Sequence, residues 1–258
     1  MRFAIPLLLL SMTLGCNKEA GPTESPATVA DNRKQGDAKR QDQATDVAAW
    51  TGAGATYGWY APNSPGPGDW LYSRTKPDNA DALPIFTWSG LAVGTLKGLP
   101  PPKMRFALAL DGVELPPGVL KEIAGLRNLE LLRLSKSSIT DEGLKELVGL
   151  ENLRTLFLAN TNVTDLGVHE LVALKGLEGL HLSGTRVTDA GMKDVARLAN
   201  LRYLGLSSTI ITDTGLKDLA NLKLQALFLH GTSVTDAAKV ELRRAIPGLV
   251  IVPPSRMP

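Results

Sequence analysis

The most regular feature of the chain is a set of leucine columns with one long period. Leu132, Leu156, Leu180, Leu204 and Leu227 form the first column, and Leu134, Leu158, Leu182, Leu206 and Leu229 the second. Leu129, Leu153, Leu177, Leu201 and Leu224 precede the first column by three positions. Within each copy the two leucines of L-x-L fall on one face of a short strand, and the residues beside them on the other. A turn and a Thr-Asp pair follow: Thr140-Asp141, Thr164-Asp165, Thr188-Asp189, Thr212-Asp213 and Thr235-Asp236, spaced 24, 24, 24 and 23 residues apart. Threonine suits a helix N-cap, and the next aspartate suits the positive helix start. Apolar residues then recur at helical spacing, as in Leu144 and Leu147 or Met192 and Val195. Ser137, Thr161, Thr185, Thr209 and Thr232 form a hydroxyl column placed to bond the turning backbone.

A degenerate copy with Leu108 and Leu110 comes first, and the last copy loses its glycine and gains Pro247. That last copy reads as a terminal cap ending in a strand near 249–252. No single copy can enclose its own leucines, so the copies must stack. About seven parallel strands at ~4.8 Å spacing are expected, in a sheet about 30 Å long.

The repeat LxxLxLxx[TS]x[VI]TDxGLxxLxxL resembles the leucine-rich repeat. More narrowly, it is similar to the TDxGL-type repeats of bacterial, planctomycete-like proteins and to the cysteine-containing repeats of eukaryotic F-box proteins. The resemblance implies an α/β leucine-rich-repeat solenoid over 103–252, with a parallel β-sheet on the concave face and short helices on the convex face.

The N-terminus reads differently. Residues 1–15 have Arg2 followed by a mostly apolar run from Ala4 to Leu14, suited to a signal peptide and too short to span a bilayer. Gly15 precedes Cys16, the only cysteine. This resembles the lipobox of bacterial lipoproteins and implies lipidation of Cys16 and a membrane-anchored envelope location. A plain secretory signal cut elsewhere, with Cys16 an ordinary thiol, is the alternative. Residues 16–49 carry alternating charges and almost no large apolar side chain, and are expected to form a disordered tether. Residues 50–102 contain all four tryptophans among Gly/Pro-rich turns. They read either as an aromatic cap on the first repeat or connector, or as a sugar- or protein-binding face. Residues 253–258 are a tail.

The array presents its concave face to partners. The large side chains expected there are Arg133, Phe157, His181, Tyr203, Phe228 and His230, types that anchor interfaces. The expected partner is a protein or a cell-envelope polymer. Net charge is +2, from 28 Lys plus Arg against 26 Asp plus Glu, which gives no support to nucleic-acid binding. His181 and His230 lie two repeats apart, about 10 Å, with no third ligand column, so no metal and no cofactor are expected. No nucleophile elbow, phosphate loop or motif-placed carboxylate pair suggests an enzyme. TGAGATYG at 51–58 misplaces its third glycine for a dinucleotide loop. Two other readings remain: a passive structural envelope component, and an F-box-like intracellular adaptor.

Overall fold

The computed structural model describes residues 41–62, 70–76, 82–90, 92 and 94–253. The signal-like segment, Cys16 and the tether as far as residue 40 lie outside the described residues, as does most of the tail. Among the described residues no helix is long and apolar enough to cross a membrane.

The repeats form a parallel strand–helix solenoid, as the leucine-rich-repeat resemblance implies. Residues 41–52 are helical (α1). Strands β1 (Thr56–Pro62), β2 (Trp70–Ser73) and β3 (Leu83–Thr87) follow, with β1 antiparallel to both β2 and β3. From β3 onward every pairing is parallel: β4 (Phe106–Ala109), β5 (Leu129–Arg133), β6 (Thr155–Phe157), β7 (Gly179–His181), β8 (Tyr203–Gly205), β9 (Ala226–Phe228) and β10 (Val250–Val252). The sheet therefore has ten strands in the order β10-β9-β8-β7-β6-β5-β4-β3-β1-β2. It exceeds the expected seven by the three strands of the aromatic block, β3 parallel to β4 and β1 and β2 antiparallel beyond it.

The helices are α2 (Val119–Ile123), α3 (Asp141–Glu146), α4 (Asp165–Leu171), α5 (Asp189–Val195), α6 (Asp213–Asp218) and α7 (Asp236–Ala245). Their inner faces meet the leucine columns in one continuous core from Trp50 to Leu249. Leu132, Leu156, Leu180, Leu204 and Leu227 are all fully buried. Each such side chain contributes roughly 1.5–3 kcal/mol relative to exposure, but only if the neighbouring copies are in place.

The hydroxyl column behaves as its chemistry requires. Ser137, Thr161, Thr185, Thr209 and Thr232 each donate to the carbonyl three residues back, at 2.6–2.8 Å. A second polar column is formed by asparagine amides. Asn128, Asn152 and Asn200 donate to Pro102, Arg127 and Lys175 carbonyls of the preceding copy at 2.8–2.9 Å.

The Thr-Asp pair does more than begin a helix. Thr164, Thr188 and Thr212 accept from the amide two residues on, capping α4, α5 and α6. Thr140 makes no such bond, and its hydroxyl donates to Glu142 instead. The aspartates reach across to the next repeat. Asp165 Oδ1 accepts Thr188 N–H at 2.8 Å and Oδ2 accepts Thr188 O–H at 2.6 Å. Asp141 grips Thr164 in the same way, Asp189 grips Thr212, and Asp213 grips Thr235.

This grip also explains the glycine of TDxG. A Cβ at Gly191 would lie 2.5 Å from Asp165 Oδ1, and one at Gly215 would lie 2.5 Å from Asp189 Oδ1. Gly167 meets the same obstruction from Asp141. In the last copy Ala238 stands at the glycine position. There Thr235 has φ −75°, against −119° at Thr188, and accepts from the amide three residues on.

The aromatic block closes the other end of the core. The Trp50 ring lies 4.7 Å from Phe86, 5.4 Å from Trp88 and 5.4 Å from Phe106, measured between centroids. Its indole N–H donates to Pro100 O at 2.9 Å, which makes full burial of the indole affordable. Helix α1 corrects the expected limit of the tether, since residues 41–49 are ordered. Asp46 is buried and accepts Lys103 N–H at 2.8 Å, while Val47 and Ala49 pack against the core. Averaged composition hides this, because those apolar residues occupy only the end of a polar stretch.

The grip and the glycine form one packing unit, so their mutations couple. Asp165→Ala leaves a partly buried amide and hydroxyl of Thr188 unpaired, and should cost about 1–3 kcal/mol. Gly191→Ala forces a methyl group into Asp165 and should cost about 1–3 kcal/mol. In the double variant the obstruction is gone, so urea unfolding should show a loss smaller than the sum of the two.

Candidate functional site

The sheet face opposite the core carries two registered columns. One runs Leu131, Thr155, Gly179, Tyr203, Ala226, Val250. The other runs Arg133, Phe157, His181, Gly205, Phe228, Val252. Parallel strands in register place these side chains in straight files about 4.8 Å apart.

The structure corrects the expectation that all six large residues are exposed. Phe157, His181 and Phe228 are 4%, 3% and 1% exposed. His181 stacks on Phe157, with centroids 4.3 Å apart and planes inclined by 4°. The Arg133 guanidinium lies 5.2 Å from the centre of the same Phe157 ring, which is thus shared between Arg133 and His181. Gly205 is what lets the imidazole lie down. A Cβ there would sit 2.9 Å from His181 Nδ1 and 3.2 Å from Ser183 Oγ. Phe228 is the neighbour of Gly205 on the other side. On the N-terminal part of the same face, Tyr60, Leu83, Ile85, Ala107, Ala109, Leu131 and Phe157 form a second buried apolar cluster. Tyr60 and Leu83 come from the aromatic block, whose contribution to this face has no periodic signal in the sequence.

Arg133, Tyr203 and His230 keep accessible surface. Arg133 is held by a 2.6 Å bond from Nε to Asp111 Oδ2, and the other Asp111 oxygen accepts Ser135 N–H at 2.9 Å. Tyr203 donates its hydroxyl to Gln225 Oε1 at 2.7 Å. His230 is exposed in the short polar file that follows the leucines. Ser207, in the same file, is buried, and its hydroxyl has no hydrogen-bond partner among the described residues. His169 lies on α4, on the helical side, where Nδ1 meets Asp194 Oδ2 at 3.0 Å.

Electrostatics follow burial. Desolvation, and then the positive charge of Arg133, hold the His181 imidazole down at about 3, so it is neutral around pH 7. Burial raises the Tyr60 phenol, with Arg133 opposing. On the helical side, burial would raise Asp194, but hydrogen bonds and charges from His169 and Arg197 outweigh it and hold the carboxyl low. Asp213 is lowered by the backbone and hydroxyl bonds from Thr235. Among the described residues, no group of three or more His, Cys, Asp or Glu side chains could hold a metal ion. The face offers planar and hydroxyl contacts, one guanidinium and one accessible imidazole, an arrangement suited to recognition.

Comparison with known proteins adds a local family match. A leucine-rich-repeat family model matches residues 125–148, one period that contains Arg133 and Thr140. The chain has the leucine-rich-repeat fold, with one repeat matched by the family model. Among solved structures, internalin C2 of Listeria monocytogenes is 25% identical, over 62% of this chain and 65% of that one, with a TM-score of 0.46. A second internalin of the same organism is 19% identical, covering 57% and 48%, with a TM-score of 0.40. A leucine-rich-repeat protein of Leptospira interrogans is 23% identical, covering 57% and 48%, with a TM-score of 0.35. The chain thus spans less than two thirds of each of these proteins. A search of curated proteins found no match.

The buried imidazole sets a pH dependence. The unfolded chain takes up a proton at His181 near pH 6.5, whereas the folded chain does so only near 3. Stability should therefore fall as pH drops from about 6.5 towards 3, and this contribution should be flat above 6.5. His181→Leu should reduce that slope in denaturant unfolding measured across the window. An unchanged slope would mean that the imidazole is not the titrating group.

Proposed function

We propose that this chain is a non-catalytic binding module, anchored to a bacterial cell envelope through lipidated Cys16, that offers its sheet face to a protein or an envelope polymer. The observation that carries the reading is the accessible set on that face. Arg133 and Tyr203 are half-buried and fixed by hydrogen bonds, and His230 is exposed further along the array. Rigid Arg and Tyr side chains lose little entropy when a partner arrives. Leucine-rich-repeat proteins typically serve as scaffolds for protein binding, which supports the same reading. Anchoring rests on the sequence of residues 1–16 alone.

The burial of Phe157, His181 and Phe228 favours a second reading, in which the domain is a passive envelope component and these rings only consolidate the sheet.

Crosslinking intact cells that express the tagged chain distinguishes the two. Arg133→Ala, Tyr203→Ala and His230→Ala combined should leave the fold intact and abolish a species captured by the wild type. Equal or empty captures would leave the passive reading. Labelling with a fatty-acid analogue tests the anchor separately: label on the wild type and none on Cys16→Ser is the expected result.

A further inference from the structure

The residues that lead into the strands form a charged column of their own. Glu130, Arg154, Glu178 and Arg202 follow one another at the repeat spacing, with alternating sign. Their backbones are linked copy to copy, since Arg154, Glu178 and Arg202 each donate an amide N–H to the preceding member's carbonyl at 2.8 Å. The positions therefore stand about 4.8 Å apart in a straight file. Arg154 and Arg202 are exposed, and Glu130 and Glu178 half-buried. Three residues earlier, Glu151 and Lys175 repeat the alternation, both exposed.

Alternation would be explained within the chain if neighbours paired. They do so only at the start of the file, where Arg105 meets Glu130 at 3.3 Å. Arg154 directs its guanidinium to Gly176 O instead, at 3.2 Å. Glu151, Lys175, Glu178 and Arg202 form no side-chain hydrogen bond or ion pair with other described residues.

We infer that this edge of the solenoid pairs with the same edge of a second copy of the chain. A two-fold axis midway between the Arg154 and Glu178 repeats sets Glu130 against the partner's Arg202 and Arg154 against the partner's Glu178. The same axis sets Glu151 against the partner's Lys175, so both columns are complementary about one axis. An isologous contact makes each pair twice, and the spacings match because both copies share one repeat. Ion pairs at an exposed edge make a weak association that salt opposes.

The test is sedimentation velocity of the full chain at about 20 mM and about 0.5 M salt. The wild type should dimerise at low salt and dissociate at high salt. An all-basic file, Glu130→Arg with Glu178→Arg, and an all-acidic file, Arg154→Glu with Arg202→Glu, should each self-associate about tenfold more weakly or worse. Mixed together, the two should form a heterodimer. Like charges in one file strain the fold, so far-UV circular dichroism accompanies each sample. Glu151→Gln with Lys175→Gln, which juxtaposes no like charges, should also weaken the dimer. A wild type that stays monomeric at low salt, variants that associate as it does, or a mixture that stays monomeric would overturn the inference.

Discussion

Each repeat carries leucines that it cannot enclose, and the rest of the structure depends on that shortfall. A strand-turn-helix unit of this length presents an apolar wall on both of its flanks. It becomes stable only when the next unit arrives in register and covers it. Register is therefore the quantity the sequence must protect. The leucines set it coarsely, because any multiple of the period buries some apolar surface. The Asp–Thr grip sets it finely, because a carboxylate that accepts one amide and one hydroxyl tolerates little displacement. Gly167, Gly191 and Gly215 follow from the grip, since the preceding repeat's aspartate occupies the space of each Cβ, whereas at Gly143 the obstruction is Leu120.

The two ends meet the shortfall differently. At the N-terminal end, four aromatic rings packed at tilted and edge-on angles and helix α1 cover the first apolar wall, and antiparallel β1 and β2 continue the sheet beyond it. At the C-terminal end, Asp236 accepts from Lys239 of its own helix at 2.9 Å in place of gripping a threonine. Ala238 replaces the glycine, Thr235 caps α7 in a different geometry, and a cleft of about 180 Å³ opens between α6 and α7, lined in part by Leu216, Ala220, Ala238 and Leu242. Helix α7 runs ten residues, where its neighbours run six or seven, and carries Arg243 and Arg244 in its last turn. Cations there suit the helix C-terminus and give the end a polar surface.

Local periodicity made the array legible. The leucine columns, the hydroxyl column and the helix starts could be assigned because each follows from one repeat and its backbone. The Asp–Thr grip was not legible, because a reading confined to one repeat assigns the aspartate to its own helix. The same limit explains α1, whose few apolar residues acquire a role only through Lys103 and Phe106, more than fifty residues away. It also explains the sheet face. Exposure of Phe157 and His181 depends on Gly205 in the next repeat and on Tyr60 and Leu83 from a block without the period. Strand alternation says which way a side chain points but leaves open what lies over it.

That difference bears on where recognition can occur. A face whose N-terminal part is a buried apolar cluster and whose middle is an arginine–phenylalanine–histidine stack has little free surface to give there. A partner that displaced the stack would have to replace its dispersion contacts and leave a neutral imidazole in a changed environment. Tyr203 and His230 ask for no such exchange. They lie towards the C-terminal part of the face, beside Val250, which is 56% exposed on the last strand. Docking there would use the fold as it stands, with the buried stack serving as the rigid floor that holds Arg133 in place.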